Sequence, residues 1–135
     1  YAEARIEAEL APFFSDLPQR MADAHLVVGR AGASTVAELT VLGRPAILVP
    51  LPHALDNDQL ENATRVHEAG GAWCIEQADF TPERLRDEIA RLASSPEMLA
   101  DAAEAAGQHC TEFDLPLAIR AMLEAGAFSQ RGEEA

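Results

Sequence analysis

Two short apolar runs, each broken off by a loop that opens a helical pattern, constrain this chain more than any other feature of it. The run at 25–28, His25-Leu26-Val27-Val28, stops at Gly29, and residues 35–42 then read as a helix that ends at Gly43. Pro45 admits a second run, Ala46-Ile47-Leu48-Val49-Pro50, with no polar alternation, the pattern of a parallel strand covered on both faces. A polar segment over 53–59 leads into another helical pattern with Leu60, Ala63, Val66 and Ala69 on one side, stopped by Gly70-Gly71, and Trp73-Cys74-Ile75 is the next strand. Strand, loop and helix in repeated succession predict an α/β fold with a parallel sheet flanked by helices.

The flanking sequence fits that order. Residues 16–24 carry an acidic cap candidate, Asp16, then Leu17-Pro18 and Met21 and Ala24 at helical spacing, so a short helix is expected. Thr81-Pro82 and Ser95-Pro96 each place an N-cap residue before a proline at the first helical position, opening helices with Leu85, Ile89 and Leu92, then Leu99, Ala102 and Ala106. A final helix is expected over 116–125, with a frayed tail over 127–135. Residues 6–14, apolar but interrupted by Glu7 and Glu9, read as a short strand ending near Pro12.

The 135 residues suit one domain with one modest core. With 23 acidic residues against 10 basic ones, the formal net charge of −13 repels a phosphate backbone, so nucleic acid is excluded as a partner. Local amides at a helix start still attract a single phosphate group whatever the net charge. No apolar run approaches the ~20 residues of a membrane-spanning helix. Cys74 and Cys110 belong to no CxxC or Cys/His pattern and read as idle thiols, and the four histidines are not grouped as metal ligands. The chain begins at Tyr1 and is expected to be a piece of a longer protein.

Ligands of open parallel sheets sit beyond the carboxyl ends of the strands, which directs attention to the loops 29–34 and 50–59. The first, Gly29-Arg30-Ala31-Gly32-Ala33-Ser34-Thr35, is neither a dinucleotide fingerprint nor a P-loop, yet its small residues would let a diphosphate approach backbone N–H groups. Glu38 has two readings. It stands three residues after Thr35, the spacing of a capping box, and it is also placed to accept hydrogen bonds from ribose hydroxyls. Gln59 and Asn62 can bind sugar hydroxyls through donor and acceptor atoms or serve as plain helix-start amides. His53 is either a general base or solvent-facing, and Asp56 and Asp58 are either ligands of a hard cation or caps.

The run 29–38, followed by Gly43-Arg44-Pro45-Ala46-Ile47-Leu48-Val49-Pro50 and then by Asp56-Asn57-Asp58-Gln59 with Asn62-Ala63, strongly resembles the C-terminal domain of the undecaprenyl-diphospho-muramoylpentapeptide β-N-acetylglucosaminyltransferases. The similarity runs from about residue 6 to 123. It implies a Rossmann-like donor half of a GT-B glycosyltransferase, spanning residues 1–126 and truncated on its N-terminal side. It further implies that the enzyme binds UDP-N-acetylglucosamine and moves its sugar, with inversion, to a lipid-linked muramoyl-pentapeptide held by a second domain. Carried over by motif, Glu38 would bind the ribose, Ala33, Ser34, Thr35 and Gly32 would lie beside the nucleotide and its diphosphate, and Gln59 would contact the sugar, with Asp58 and Asn62 close by.

The same resemblance implies no cofactor, no metal and no catalytic residue within this chain, which alone is expected to transfer nothing. It places the whole enzyme peripherally on the cytoplasmic face of the bacterial inner membrane, in cell-wall synthesis that serves cell shape and division. The sequence departs from the family pattern at Asp58, where histidine or glutamine is usual, and it lacks the family's opening glycine loop and the acceptor-domain motif with its base histidine. The alternatives are a donor-binding subunit that works with a separate membrane-bound chain, and another GT-B UDP-sugar enzyme such as a glycolipid transferase or an epimerase.

Overall fold

A computed structural model describes residues 6–52 and 58–112, the side chains of 109–112 excepted. Its elements are α1 (Leu17–Asp23), β1 (Val27–Gly29), α2 (Ala33–Leu42), β2 (Ala46–Leu48), α3 (Asp58–Glu68), β3 (Ala72–Cys74), a 3-10 turn (Gln77–Asp79), α4 (Pro82–Ala93) and α5 (Pro96–Glu112). The three strands form one parallel sheet in the order β1-β2-β3, with Val28 opposite Ile47 and Ile47 opposite Trp73. The α/β expectation is met.

The central strand explains the three-layer build. All of β2 is buried, and its side chains divide between two apolar clusters. Ala46 and Leu48 pack with Met21, Leu39, Ala63 and Val66 from α1, α2 and α3. Ile47 and Val49 point the other way, onto Ile75 and Leu92, with Leu85, Met98 and Leu99 from α4 and α5 against them. Side chains alternating across a strand give these two faces, and the non-alternating apolar sequence of β2 is what two covered faces require. Ile47, Leu48 and Leu92 are essentially inaccessible, and burying each contributes about 1.5–3 kcal/mol.

Helix α5 begins against α4 and continues onto α2, where small residues allow close approach. A Cβ added at Gly71 would lie 2.8 Å from the Cα of Ala106, so the turn into β3 can pass α5 only as glycine. Helix α2 ends in a left-handed residue, Gly43 (φ 63°), with Gly43 N–H donating to the Thr40 carbonyl and Arg44 N–H to that of Leu39, the pattern of a Schellman cap. Thr81 caps α4 by accepting from Arg84 N–H at 3.1 Å.

Three expectations are corrected. Residues 6–14 are not a strand: they pair with none of the three described strands, and Ile6, Leu10 and Phe13 stand exposed, so their alternation packs no face. The segment instead meets α1 through Glu9 paired with Arg20, whose guanidinium lies 4.4 Å from the Phe14 ring centroid. Asp16 does stand at the N-cap of α1, but its side chain does not cap the turn and instead accepts from Arg20 Nε at 2.8 Å, which holds its carboxyl below the usual range. The apolar stripes of α3 and α4 are narrower than read, since Leu60, Ala69 and Ile89 are exposed. The expected helix over 116–125, the tail over 127–135 and the residues His53 and Asp56 lie outside the described residues.

Candidate functional site at the carboxyl ends of the strands

Beyond Gly29, Leu48 and Cys74 the chain leaves the sheet through three loops that gather on one side of it. The ladder continues one step into them, with Val49 N–H donating to the Gly29 carbonyl at 2.9 Å and Ile75 N–H to that of Leu48 at 3.0 Å. Among the described residues two open pockets lie here. One of about 510 Å³ has Pro50, Leu51, Pro52 and Leu60 on one wall and Glu76, Gln77 and Ala78 on the other. A second of about 300 Å³ is bounded by Val28, Gly29, Arg30, Val49, Gln77 and Phe80, so Gln77 stands in the wall of both.

The first turn of α2 opens on this side. Gly32 is its N-cap, in an extended conformation (φ −61°, ψ 151°), and its carbonyl accepts from Val36 N–H at 3.0 Å. Among the described residues no side chain is seen to cap this helix start, and no acidic residue stands in its first turn. The leading N–H groups of a helix have no intrahelical acceptor and carry the positive end of the dipole, so an anion is favoured there. Ala33 and Ser34 are exposed and Thr35 half-buried at this end.

Because α2 starts at Ala33, Thr35 is its third residue and cannot be the N-cap. The capping-box reading of Glu38 is therefore removed. Glu38 lies four residues after Ser34, on the same face of the helix. It is half-buried, takes no hydrogen bond or ion pair from the other described residues, and burial raises its pKa. A carboxylate held in this way is an acceptor without a partner among the described residues, in the second turn of the helix whose start would receive an anion. Glu38 is not in the wall of either pocket.

Gln59 and Asn62, three residues apart on α3, both turn to the peptide units of Ala31. Gln59 Oε1 accepts from Ala31 N–H at 3.3 Å and from Leu51 N–H at 2.9 Å, and Asn62 Nδ2 donates to the Ala31 carbonyl at 3.1 Å. The loops 29–34 and 50–59, far apart in sequence, are thus joined through α3. Asp58 is exposed at the start of α3 and shares its first turn with Glu61.

Arg30 escaped the sequence reading. Its Nη1 lies 3.3 Å from the Val49 carbonyl and 3.5 Å from that of Pro50, laying a guanidinium over the end of β2. The signal was available: Arg30 is the only lysine or arginine in the loops 29–34 and 50–59. Cys74 is half-buried, and burial together with the charge of Glu76 raises its thiol pKa, in keeping with an idle thiol. His67 Nδ1 lies 3.1 Å from the Ala72 carbonyl and so ties the end of α3 to β3. Among the described residues no three His, Cys, Asp or Glu side chains come together as a metal site, and no helix is long and apolar enough to cross a membrane.

Known proteins share this arrangement. The chain is 63% identical over 99 residues to the UDP-N-acetylglucosamine--N-acetylmuramyl-(pentapeptide) pyrophosphoryl-undecaprenol N-acetylglucosamine transferase of Rhodopseudomonas palustris, covering 73% of this chain and 27% of that protein. It is 53% identical over 125 residues to the transferase of the same name from Rhodospirillum centenum, covering 93% and 32%. The chain thus spans about a third or less of the length of these relatives. The crystal structure of Acinetobacter baumannii MurG superimposes with a TM-score of 0.71 at 32% identity, over 87% of this chain and 32% of that one. The glycosyltransferase VinC, in complex with dTDP, does so with a TM-score of 0.61 at 30% identity, over 86% and 28%. The glycosyltransferase family 28 C-terminal domain matches residues 1–114, and the chain belongs to that family.

Proposed function

We propose that this chain is the donor half of an inverting glycosyltransferase that binds UDP-N-acetylglucosamine and passes its sugar to an undecaprenyl-diphospho-muramoyl-pentapeptide held by a second domain. The observation that carries the reading is the start of α2, with no side-chain cap and no acid of its own, at the carboxyl ends of a parallel sheet. The relatives' names supply the sugar and the acceptor, and VinC in complex with dTDP supports a nucleoside diphosphate as the ligand class. The whole enzyme would act in cell-wall synthesis, peripherally on the cytoplasmic face of the inner membrane.

In this reading the amides of Gly32, Ala33, Ser34 and Thr35 receive the diphosphate, and Glu38 accepts the ribose hydroxyls. The free Nε2 of Gln59 donates to the sugar, while Asp58, exposed, takes no part. As the acceptor's hydroxyl attacks the anomeric carbon, its proton passes to a base of the second domain, the bond to the diphosphate breaks and UDP departs carrying the electron pair. Oriented amides at a helix start stabilise that growing charge, because they need no reorganisation when it appears.

The test is calorimetry of UDP-N-acetylglucosamine on the full-length protein, with and without EDTA. Glu38→Gln is expected to cost about 1.5–3 kcal/mol of affinity, the range for hydrogen bonds to charged groups, while EDTA changes nothing. The raised pKa fixes the direction with pH: affinity should fall, as the solution is acidified, at a higher pH than an ordinary glutamate would give, and Glu38→Gln should abolish that fall. Stability runs the other way. A raised carboxyl pKa means stability is fullest at low pH and is lost as pH rises through that value, so Glu38→Gln should be no less stable at neutral pH. Binding that EDTA abolishes and Glu38→Gln leaves intact would sink the ribose role.

A further inference from the structure

Strand order decides what else this face can receive. In the donor reading above the diphosphate lies at the start of α2, which follows β1, and the sugar lies by the start of α3, which follows β2. Since β2 stands between β1 and β3, a donor held in this way runs across the sheet towards β3. An inverting transfer brings the nucleophile to the face of the sugar opposite the departing group. The side of the sugar remote from the diphosphate is the side of the loop after β3, so that loop faces the acceptor.

The larger pocket, of about 510 Å³, lies between the loop after β2 and the turn after β3, and its two walls differ. One is apolar, with Pro50, Pro52 and two leucines, Leu51 and Leu60, that stand exposed. The other carries Glu76 and Gln77 at the start of the 3-10 turn. Backbone groups close that turn, Asp79 N–H donating to the Glu76 carbonyl at 2.9 Å and Phe80 N–H to that of Gln77 at 3.1 Å. Glu76 is its N-cap, yet its side chain caps nothing, and the Gln77 side-chain amide is bonded to no other described residue. Exposed leucines in a concavity, opposite polar groups left unbonded, are what a ligand cleft presents before it is filled.

We propose that this pocket receives the peptide of the lipid-linked muramoyl-pentapeptide acceptor, with the Gln77 amide paired to a peptide unit and Leu51 and Leu60 packed on the peptide's side chains. The inference rests on the donor-half reading and adds to it an acceptor subsite within this chain. The other parts of the acceptor fit worse. Its pyrophosphate would meet the Glu76 carboxylate, like charge against like, and its undecaprenyl chain would bury the polar groups of Glu76 and Gln77 without partners. A peptide unit presents one N–H and one carbonyl, which a primary amide can satisfy together, and the Glu76 carboxylate can accept a further N–H.

The test compares two lipid-linked acceptors on the full-length protein, the muramoyl-pentapeptide and the same molecule without its peptide, by KM or, where an acceptor is not turned over, by its inhibition constant. The unaltered protein should favour the pentapeptide acceptor. Gln77→Ala should narrow that preference by about fivefold, the equivalent of one net hydrogen bond, and Ala78→Trp, which fills the pocket from an exposed position, by about tenfold or more. Both variants should keep UDP affinity and the KM for UDP-N-acetylglucosamine within about twofold. An equal loss on the two acceptors would give the turn a role with the acceptor's sugar or lipid, and a loss confined to the donor would make the pocket part of the donor site; either overturns the peptide subsite. An unchanged preference in both variants, or no preference in the unaltered protein, overturns it too. If Ala78→Trp does not fold, Ala78→Met carries the same comparison. Failure of the unaltered protein to bind UDP at all would instead overturn the donor-half reading, and the subsite with it.

Discussion

Helices α2 and α4 both begin beyond the carboxyl end of a strand, and their first turns are built in opposite ways. At α4 the Thr81 side chain accepts from Arg84 N–H, Pro82 removes one donor that would have had no partner, and Glu83 stands in the first turn. At α2 the N-cap is a glycine, no side chain caps the turn and no acid faces the dipole. Helix α3 lies between the two, with Asp58 and Glu61 in its first turn. A helix start that its own chain has satisfied has nothing to offer a ligand, while one left open carries partial positive charge that an anion can use. In this molecule the open one also follows Ala31, whose N–H and carbonyl are hydrogen-bonded by Gln59 and Asn62 of α3.

The sharpest way to break this contrast is to give α2 the acid that the other helices have. Ala33→Asp places a carboxylate in its first turn, where Ala33 is exposed and a longer side chain is accommodated. For the helix this is favourable by about 0.3–1 kcal/mol. For a diphosphate it is like charge against like charge, and we expect UDP affinity to fall by about 2–4 kcal/mol. Calorimetry and thermal unfolding on the same variant read the two effects. Retained UDP affinity would mean the diphosphate lies elsewhere.

Thr81→Ala is the converse change and should be smaller. It removes the cap of α4 and should lower stability by about 1 kcal/mol, with no effect on UDP. Denaturant unfolding measures the first and calorimetry the second. A drop in UDP affinity would show that α4 belongs to the site and that the contrast between the helix starts is misdrawn.

The two helix starts were not equally legible. Thr81-Pro82 announces a cap in residue types, and the structure begins α4 where they say. The start of α2 was read two residues late, at Thr35, because a glycine N-cap leaves no side-chain signal while Thr35 and Glu38 offered a misleading one. The strand-loop-helix order was legible for a different reason: the apolar runs of β1 and β2 must be covered, and only helices on both faces do so. Residues 6–14 show the limit of that logic, since their apolar positions stay exposed and an alternating pattern alone does not add a strand to a sheet. The tie between α3 and the first loop lay further out of reach. Spacing put Gln59 and Asn62 on one face of α3, but Ala31, whose N–H and carbonyl they hold, is 28 and 31 residues earlier, and only the folded chain brings it there.

The smallest expected effect concerns Asp58, the residue where this sequence departs from its family pattern. Its side chain is exposed and stands at the N-terminal end of α3, where a carboxylate favours the helix. Asp58→Ala should then cost about 0.3–1 kcal/mol of stability and leave donor affinity unchanged. Asp58→His removes one negative charge from the neighbourhood of a diphosphate and should keep or slightly improve affinity for UDP-N-acetylglucosamine. The two helix starts would thus respond to opposite changes of charge, α2 losing affinity when an acid is added and α3 losing only stability when one is removed. Affinity measured on Asp58→His beside Gln59→Ala decides it. A loss with Asp58→His as large as that with Gln59→Ala would make Asp58 a ligand, and the start of α3 would then be part of the anion site rather than its support.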